Sequence, residues 1–332
     1  MTQTNSPQHL LDHDITESAK LLHEGHMHRL GIANTMQLAH SYNKLKFQKQ
    51  DAYRIDQYQH HLDALLAENG AITTPTIHLN DGWHIDTSMS LPFLDEVLED
   101  SEKIISERAG KGKPAIGTYR SYFQDMWTPE DLVRYPSFLN FVTSSTILST
   151  VSHYIKSIPV LSSTLPSGIR FVESSAEYDD QPEKFKDSQL FHVDYYSLPN
   201  VYVLVLLRDT TIENGPWSFL PKSVTVKAVE ALNNWQYGVP YRFSDEQVYS
   251  VVDKSNLIEL CYPRGTVLFI ESSGCMHYGS RNAVKPRYKL MIGYSGLCRT
   301  DFSEGFMRQK VYPVRPEDSK LRKMLLDKNF IG

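Results

Sequence analysis

The chain has 332 residues, 41% of them hydrophobic and 22% charged, with a formal net charge of −5. That composition is ordinary for a folded globular protein and offers no basic patch for nucleic acid or an anionic membrane surface. The cysteines Cys261, Cys275 and Cys298 are too few for a disulfide framework and fit a reducing compartment. The first ten residues lack an apolar signal core, and the longest apolar run, Val201 to Leu207, is too short to cross a bilayer. A cytoplasmic protein is expected, with no nucleic acid and no membrane as partner.

Residues 1–70 read as a mainly helical region. Ile15 to Leu30 and Ile32 to Tyr42 carry apolar residues at three-to-four spacing, with Gly25 and Gly31 as interruptions. Tyr58 to Glu68 is a further amphipathic stretch, and Gly70 is placed to end it. Ala71 to Leu79 is rich in Ile and Thr and reads as a strand, at a sheet edge because of Pro75. Asn80-Asp81-Gly82 signals a turn. Leu91 to Ile105 returns to helical spacing. Pro129-Glu130-Asp131 opens another helix, Pro136 interrupts it, and Ser137 to Tyr154 resumes it.

From about residue 158 the runs become short and β-rich. They are Ile158 to Leu165, Ile169 to Glu173, Gln189 to Tyr196, Val201 to Leu207, Trp217 to Leu220, Leu257 to Cys261, Thr266 to Glu271 and Tyr288 to Gly293. Glu213-Asn214-Gly215-Pro216 and Pro263-Arg264-Gly265 punctuate them as turns. Val201 to Leu207 is apolar on both faces, so its sheet should be covered on both sides. Val224 to Asn234 is expected as an inserted helix. The expected class is α+β: a double-stranded β-helix, or cupin-like jelly roll, with a helical N-terminal part packed on it. The jelly roll would span 71–300, its strands mainly in 158–300, followed by a charged extension over 301–332. All three parts are expected to form one structural unit.

One stretch carries chemistry. In Phe191-His192-Val193-Asp194-Tyr195, an extended backbone would send His192 and Asp194 to the same face. An imidazole and a carboxylate so placed make two-thirds of a 2-His-1-carboxylate facial triad, which holds Fe(II) and leaves positions open. His277, just after the strand Thr266 to Glu271, is the candidate for the third ligand. Arg287, at the start of the next strand, can fork onto a carboxylate with two parallel hydrogen bonds.

His192-x-Asp194, Glu213-Asn214-Gly215-Pro216, Pro221-Lys222-Ser223, Pro263-Arg264-Gly265-Thr266-Val267-Leu268-Phe269, His277 and Arg287 occur in one order. This ordered set resembles the phytanoyl-CoA dioxygenase family of Fe(II)/2-oxoglutarate oxygenases, over roughly the last half of the chain. The resemblance implies His192, Asp194 and His277 as iron ligands and Arg287 as the 2-oxoglutarate anchor. It implies Fe(II), with 2-oxoglutarate and O2 as co-substrates, and a small-molecule substrate hydroxylated as 2-oxoglutarate is decarboxylated to succinate and CO2. The chain departs from the family pattern in two places. Val224 stands where a histidine is usual, and the interval from His277 to Arg287 is about one residue short, which makes Ser280 the hydroxyl expected beside Arg287. Asp194 sets the chain apart from halogenases, which replace that carboxylate with a small residue.

Other residues have weaker readings. Gln189, Tyr202 and Leu204 are candidates to line the 2-oxoglutarate pocket, with core packing the alternative. Arg170, Tyr195, Tyr196 and Trp217 are candidates to meet substrate, or else to make an ion pair and fill the barrel. His84-Ile85-Asp86 is a second His-x-Asp, read as a hydrogen-bonded turn or a piece of pocket wall. The cluster from His23 to His28 is read as a surface helix end, and Cys275 as a packing residue. The competing function is a metal-binding jelly roll without oxygenase turnover. The sequence fixes neither the oligomeric state nor the substrate.

Overall fold

The computed structural model describes residues 31–70, 72, 77–111, 113–114, 122–126, 128, 130–161, 168–179, 183–236, 238–301 and 312–332. The expected helix Ile15 to Leu30, the cluster His23 to His28 and most of the expected strand Ala71 to Leu79 lie outside them.

The strands are β1 (Trp83–Asp86), β2 (Lys113–Pro114), β3 (Phe123–Asp125), β4 (Val160–Leu161), β5 (Ile169–Ser174), β6 (Asn200–Leu206), β7 (Ser218–Phe219), β8 (Ile258–Glu259), β9 (Val267–Glu271), β10 (His277–Tyr278) and β11 (Arg287–Ser295). An antiparallel sheet orders them β1-β9-β6-β11-β5-β3-β2, with β4 also paired to β11. A smaller antiparallel sheet has the order β10-β7-β8. Alternation along each strand gives the large sheet two different faces. Phe171, Val203, Val205, Phe269, Leu290 and Ile292 point to one side, into a core shared with the helices. Tyr202, Leu204, Leu206, Leu268 and Ile270 point to the other, against Trp217 and Phe219 of the small sheet's segment. β6 is buried at every position, as its unbroken apolar run requires.

The helices supply the outer layer. In Leu94–Arg108 the residues Leu94, Val97, Leu98, Ile104 and Ile105 form one buried stripe. The helix Gln48–Asn69 buries Leu62, Leu65 and Leu66 near its end, but Arg54 and Gln57 occupy the same stripe further back. Gly70, at φ 127, terminates it. Arg54 is fully buried, and burial lowers its pKa to about 10. Its guanidinium donates to the Pro159 carbonyl at 3.2 Å and to the Asp327 carbonyl at 2.9 Å, joining this helix to the entry of β4 and to the C-terminal segment. Arg54→Ala strands those two carbonyls and leaves a void. It is expected to cost about 3 kcal/mol in a urea unfolding titration, and an unchanged midpoint would remove Arg54 as a tie.

Several expectations are corrected. Gln189 to Tyr196 is not a ladder strand. A 3-10 turn, Asp187–Gln189, precedes it, and the extended chain then makes only the single bridges Phe191↔Phe243 and His192↔His277. Ser137 to Tyr154 is two helices, Ser137–Val142 and Ser145–Ile155. They part where Ser144 adopts an extended conformation and the Thr143 hydroxyl bonds back to Leu139 O. Of the two readings of His84-Ile85-Asp86, the hydrogen-bonded turn holds at Asp86, with Ser88 N donating to Asp86 Oδ1 at 2.8 Å, and the pocket wall does not. Phe269 and Val267, the partners of His84 and Asp86, face the helical core, so the pair lies on the far side of the sheet from Trp83 and Ile85. The inserted helix runs Lys222–Ala231, and the C-terminal segment carries the helix Lys320–Leu326. Strands β2 and β3 and the helix Asp245–Tyr249 were not expected.

Candidate metal centre

Backbone hydrogen bonds fix the three candidate ligands. His192 N donates to His277 O at 3.0 Å, and His277 N returns a bond to His192 O at 2.8 Å. This closed pair sets the two imidazoles side by side, with ring centroids 4.5 Å apart. Asp194 N donates to Ser272 O at 3.0 Å, which ties the third position to the end of β9. All three side chains are buried, and one ligand atom from each lies within 4.8 Å of the others.

The imidazoles are oriented as metal ligands need to be. His192 Nδ1 lies 2.8 Å from Leu190 O, and His277 Nδ1 lies 2.8 Å from Cys275 O. A carbonyl only accepts, so Nδ1 carries the proton in each neutral ring and Nε2 presents its lone pair. Burial pushes His277 below its ordinary value; the nearby Asp194 charge opposes that shift and Lys289 adds to it. The His192 and His277 Nε2 atoms lie 4.0 and 3.8 Å from Asp194 oxygens. Asp194 Oδ2 is buried and accepts no hydrogen bond. Converging acceptors with an orphaned carboxylate oxygen suit a cation of the kind that takes nitrogen and oxygen donors.

A cavity of about 570 Å³, counting its open mouth, adjoins the triad. Tyr202, Trp217, Tyr196 and Phe123 give it aromatic walls, Val172 and Met291 apolar ones, and Arg170 and Lys289 its cations. The Tyr202 phenol stays protonated, its pKa raised first by burial and then by the neighbouring Asp194 charge. Trp217 lies against His277, with centroids 4.5 Å apart and a tilt of 32°. Arg170 pairs with Asp125 at 3.1 Å.

The remaining predicted residues sit elsewhere. Tyr195 stacks on Tyr196 and Tyr241 beside the cavity. Leu204 belongs to the apolar layer between the sheets. Gln189 braces the loop before His192, its Nε2 donating to Ser280 O at 2.9 Å. Arg287 is buried and donates to Ser280 Oγ at 2.8 Å and to Gly215 O. Gly215 is held at φ 59, and a Cβ there would meet Arg281 O at 2.5 Å, so the turn admits no side chain. Neither Arg287 nor Ser280 is among the residues lining the cavity. Lys289 was not anticipated, although alternation from Arg287 along one strand would have placed both on one face. Among the described residues, no helix is long and apolar enough to cross a membrane.

No family model matches the chain, and no curated protein matches it. Solved structures do. The non-haem α-ketoglutarate-dependent epimerase SnoN from nogalamycin biosynthesis is 13% identical over 70% of this chain and 80% of its own, with a TM-score of 0.41. EctD from S. alaskensis in its apo form is 12% identical over 75% of this chain and 91% of its own, at 0.43. HygX from Streptomyces hygroscopicus, with nickel and 2-oxoglutarate bound, is 14% identical over 64% and 82%, at 0.38. SnoN has also been solved with Fe3+ and α-ketoglutarate, and EctD with 2-oxoglutarate.

Proposed function

We infer that this chain is a non-haem Fe(II)- and 2-oxoglutarate-dependent oxygenase that hydroxylates a small molecule. The observation that carries the reading is the buried convergence of His192, Asp194 and His277, with Asp194 Oδ2 left without a partner. The two facing sheets with an apolar layer between them favour a jelly roll as the frame. The three side chains would hold the iron. When bound, the metal supplies O2 activation coupled to decarboxylation of 2-oxoglutarate to succinate and CO2.

The chain's own residues prepare that chemistry. The Leu190 and Cys275 carbonyls hold the imidazoles in one tautomer and one orientation. Burial of the triad keeps bulk water from the ligands, and no group is required as a general base. The aromatic wall of Tyr196 and Trp217 suits an apolar or ring-bearing substrate, with Tyr195 behind Tyr196. The test is succinate release from 2-oxoglutarate by the anaerobically Fe(II)-loaded protein on admission of O2. His277→Ala is expected to lower it by more than 100-fold. Tight metal binding with no succinate release, coupled or uncoupled, would instead leave a metal-binding jelly roll without turnover.

A further inference from the structure

Two of the contacts that orient the triad lead back to one turn. The Ser272 carbonyl accepts from Asp194 N at 3.0 Å, and the Cys275 carbonyl lies 2.8 Å from His277 Nδ1. Both carbonyls belong to the turn that leaves the end of β9, from Glu271 to Cys275. The placing of that turn therefore decides where one carboxylate and one imidazole stand.

Glu271 fixes the turn from beneath. Alternation with Val267 and Phe269 puts its side chain on the helical face of β9, away from the cavity. Its carbonyl accepts from Gly274 N at 3.1 Å and from Cys275 N at 2.9 Å, which closes the turn. Its buried carboxylate packs against the same turn: a Cβ on Gly274 would lie 2.7 Å from Glu271 Cδ and 2.8 Å from Oε2. Ser273 Oγ donates to Oε1 at 3.2 Å and accepts from Asn200 N at 3.0 Å, tying the turn to the start of β6.

Two helices hold the carboxylate in place. Lys222, the first residue of the inserted helix, pairs with Oε2 through its Nζ at 2.7 Å. The Tyr154 phenol, from the helix Ser145–Ile155, donates to the same oxygen. That phenol keeps its proton, because burial raises its pKa first and the bond to Glu271 raises it further. Charge-assisted bonds of this kind are strong, and three of them from three segments leave the carboxylate little freedom. None of Glu271, Tyr154, Lys222 and Ser273 lines the cavity, so any effect on the metal passes through the turn.

We propose that Glu271 is a positioning residue of the metal centre: its carboxylate, braced by Tyr154 and Lys222, sets the turn whose carbonyls orient Asp194 and His277. This rests on the oxygenase reading above, and Mn(II) binding separates the two because it requires neither 2-oxoglutarate nor turnover. Mn(II) is titrated anaerobically into the full chain and followed by EPR, which reads both the free ion and the line shape of the bound one. Glu271→Ala is expected to weaken binding by about 10–100-fold, the range for outer-shell partners, and to change the bound line shape. Glu271→Gln can keep its oxygen toward Tyr154 and Lys222 and turn its amide to Ser273 Oγ, so it should stay within about threefold of wild type. Gly274→Ala drives a Cβ into the held carboxylate and is expected to weaken Mn(II) binding with Glu271 intact, which decides the matter should Glu271→Ala fail to fold. Arg54→Ala, a destabilised control at the tie to Pro159 and Asp327, is expected to bind Mn(II) as wild type does. Unchanged affinity in Glu271→Ala, or in Gly274→Ala where Glu271→Ala does not fold, overturns the positioning role alone. Binding as weak in Glu271→Gln as in Glu271→Ala, or an equal loss in Arg54→Ala, overturns it too, since charge or general stability then accounts for the effect. No Mn(II) binding by wild-type protein overturns the oxygenase reading and the positioning role with it.

Discussion

Asp194→Ala is expected to abolish metal binding while leaving the metal-free protein as stable as the wild type, or more stable. The two halves have one cause. Asp194 Oδ2 is buried without a hydrogen-bond partner, and a buried acceptor left unsatisfied costs about 1–3 kcal/mol. Without metal the carboxylate is therefore a liability, held beside two imidazole lone pairs at 3.8 and 4.0 Å. With metal it supplies the negative charge of the site. Removing a ligand should cost more than the roughly 10–100-fold that loss of an outer-shell partner costs. The measurement is thermal unfolding with EDTA and with Mn(II) under anaerobic conditions. At a hundred times its dissociation constant the metal should stabilise wild-type protein by about 2.7 kcal/mol, and that increment should vanish in Asp194→Ala. An increment that survives, or a metal-free variant much less stable than wild type, would make Asp194 an ordinary structural acid.

The sequence disclosed the centre of the sheet better than its edges, for physical reasons. β6 and β9 are buried on both faces, so apolar residues fill nearly every position and the runs stand out; β11, covered nearly as fully, shows its apolar run at Leu290, Met291 and Ile292. β2 and β3 have two and three residues; β3 is defined by pairing with β5, about fifty residues on, and β2 only by pairing with β3. No local period can announce such strands. The helix Gln48–Asn69 was legible only in its second half, where Leu62, Leu65 and Leu66 repeat at helical spacing. In its first half Arg54 stands where an apolar residue was expected, satisfied by carbonyls from residues 159 and 327 that sequence spacing cannot reveal. The His-x-Asp signal pointed to the right residues for a partly mistaken reason. No ladder strand aligns them. A single bridge to His277 and one bond to Ser272 O do so instead. The second His-x-Asp, at His84 and Asp86, has the regular strand geometry and faces away from the cavity, so spacing alone does not separate a site from a sheet edge.

Arg281→Ala is expected to lower both global stability and metal affinity, although Arg281 touches no ligand atom. The guanidinium lies 3.4 Å from the centre of the Tyr278 ring and 5.3 Å from that of Phe191. Its Nε donates to Gln189 O, and its Nη1 pairs with Asp245 at 2.7 Å. Gln189 and Phe191 lead into His192, and Tyr278 follows His277, so one side chain clamps both imidazole-bearing segments and joins them to the helix Asp245–Tyr249. The stacked cation contributes roughly 2 kcal/mol when desolvated, and the buried Gln189 carbonyl loses a donor, so a total near 3 kcal/mol is expected by urea unfolding. Because the clamp sets how the two imidazoles approach each other, Mn(II) affinity should fall by about 10–100-fold, the range for outer-shell partners. Arg281→Lys keeps the charge but loses the planar stack and the fork, and should fall between the two. A fall in stability with Mn(II) affinity unchanged would confine Arg281 to holding the inserted helix. A fall in both, graded through the lysine variant, ties ligand geometry to the clamp, because lysine preserves the charge and only the orientation of the two segments differs.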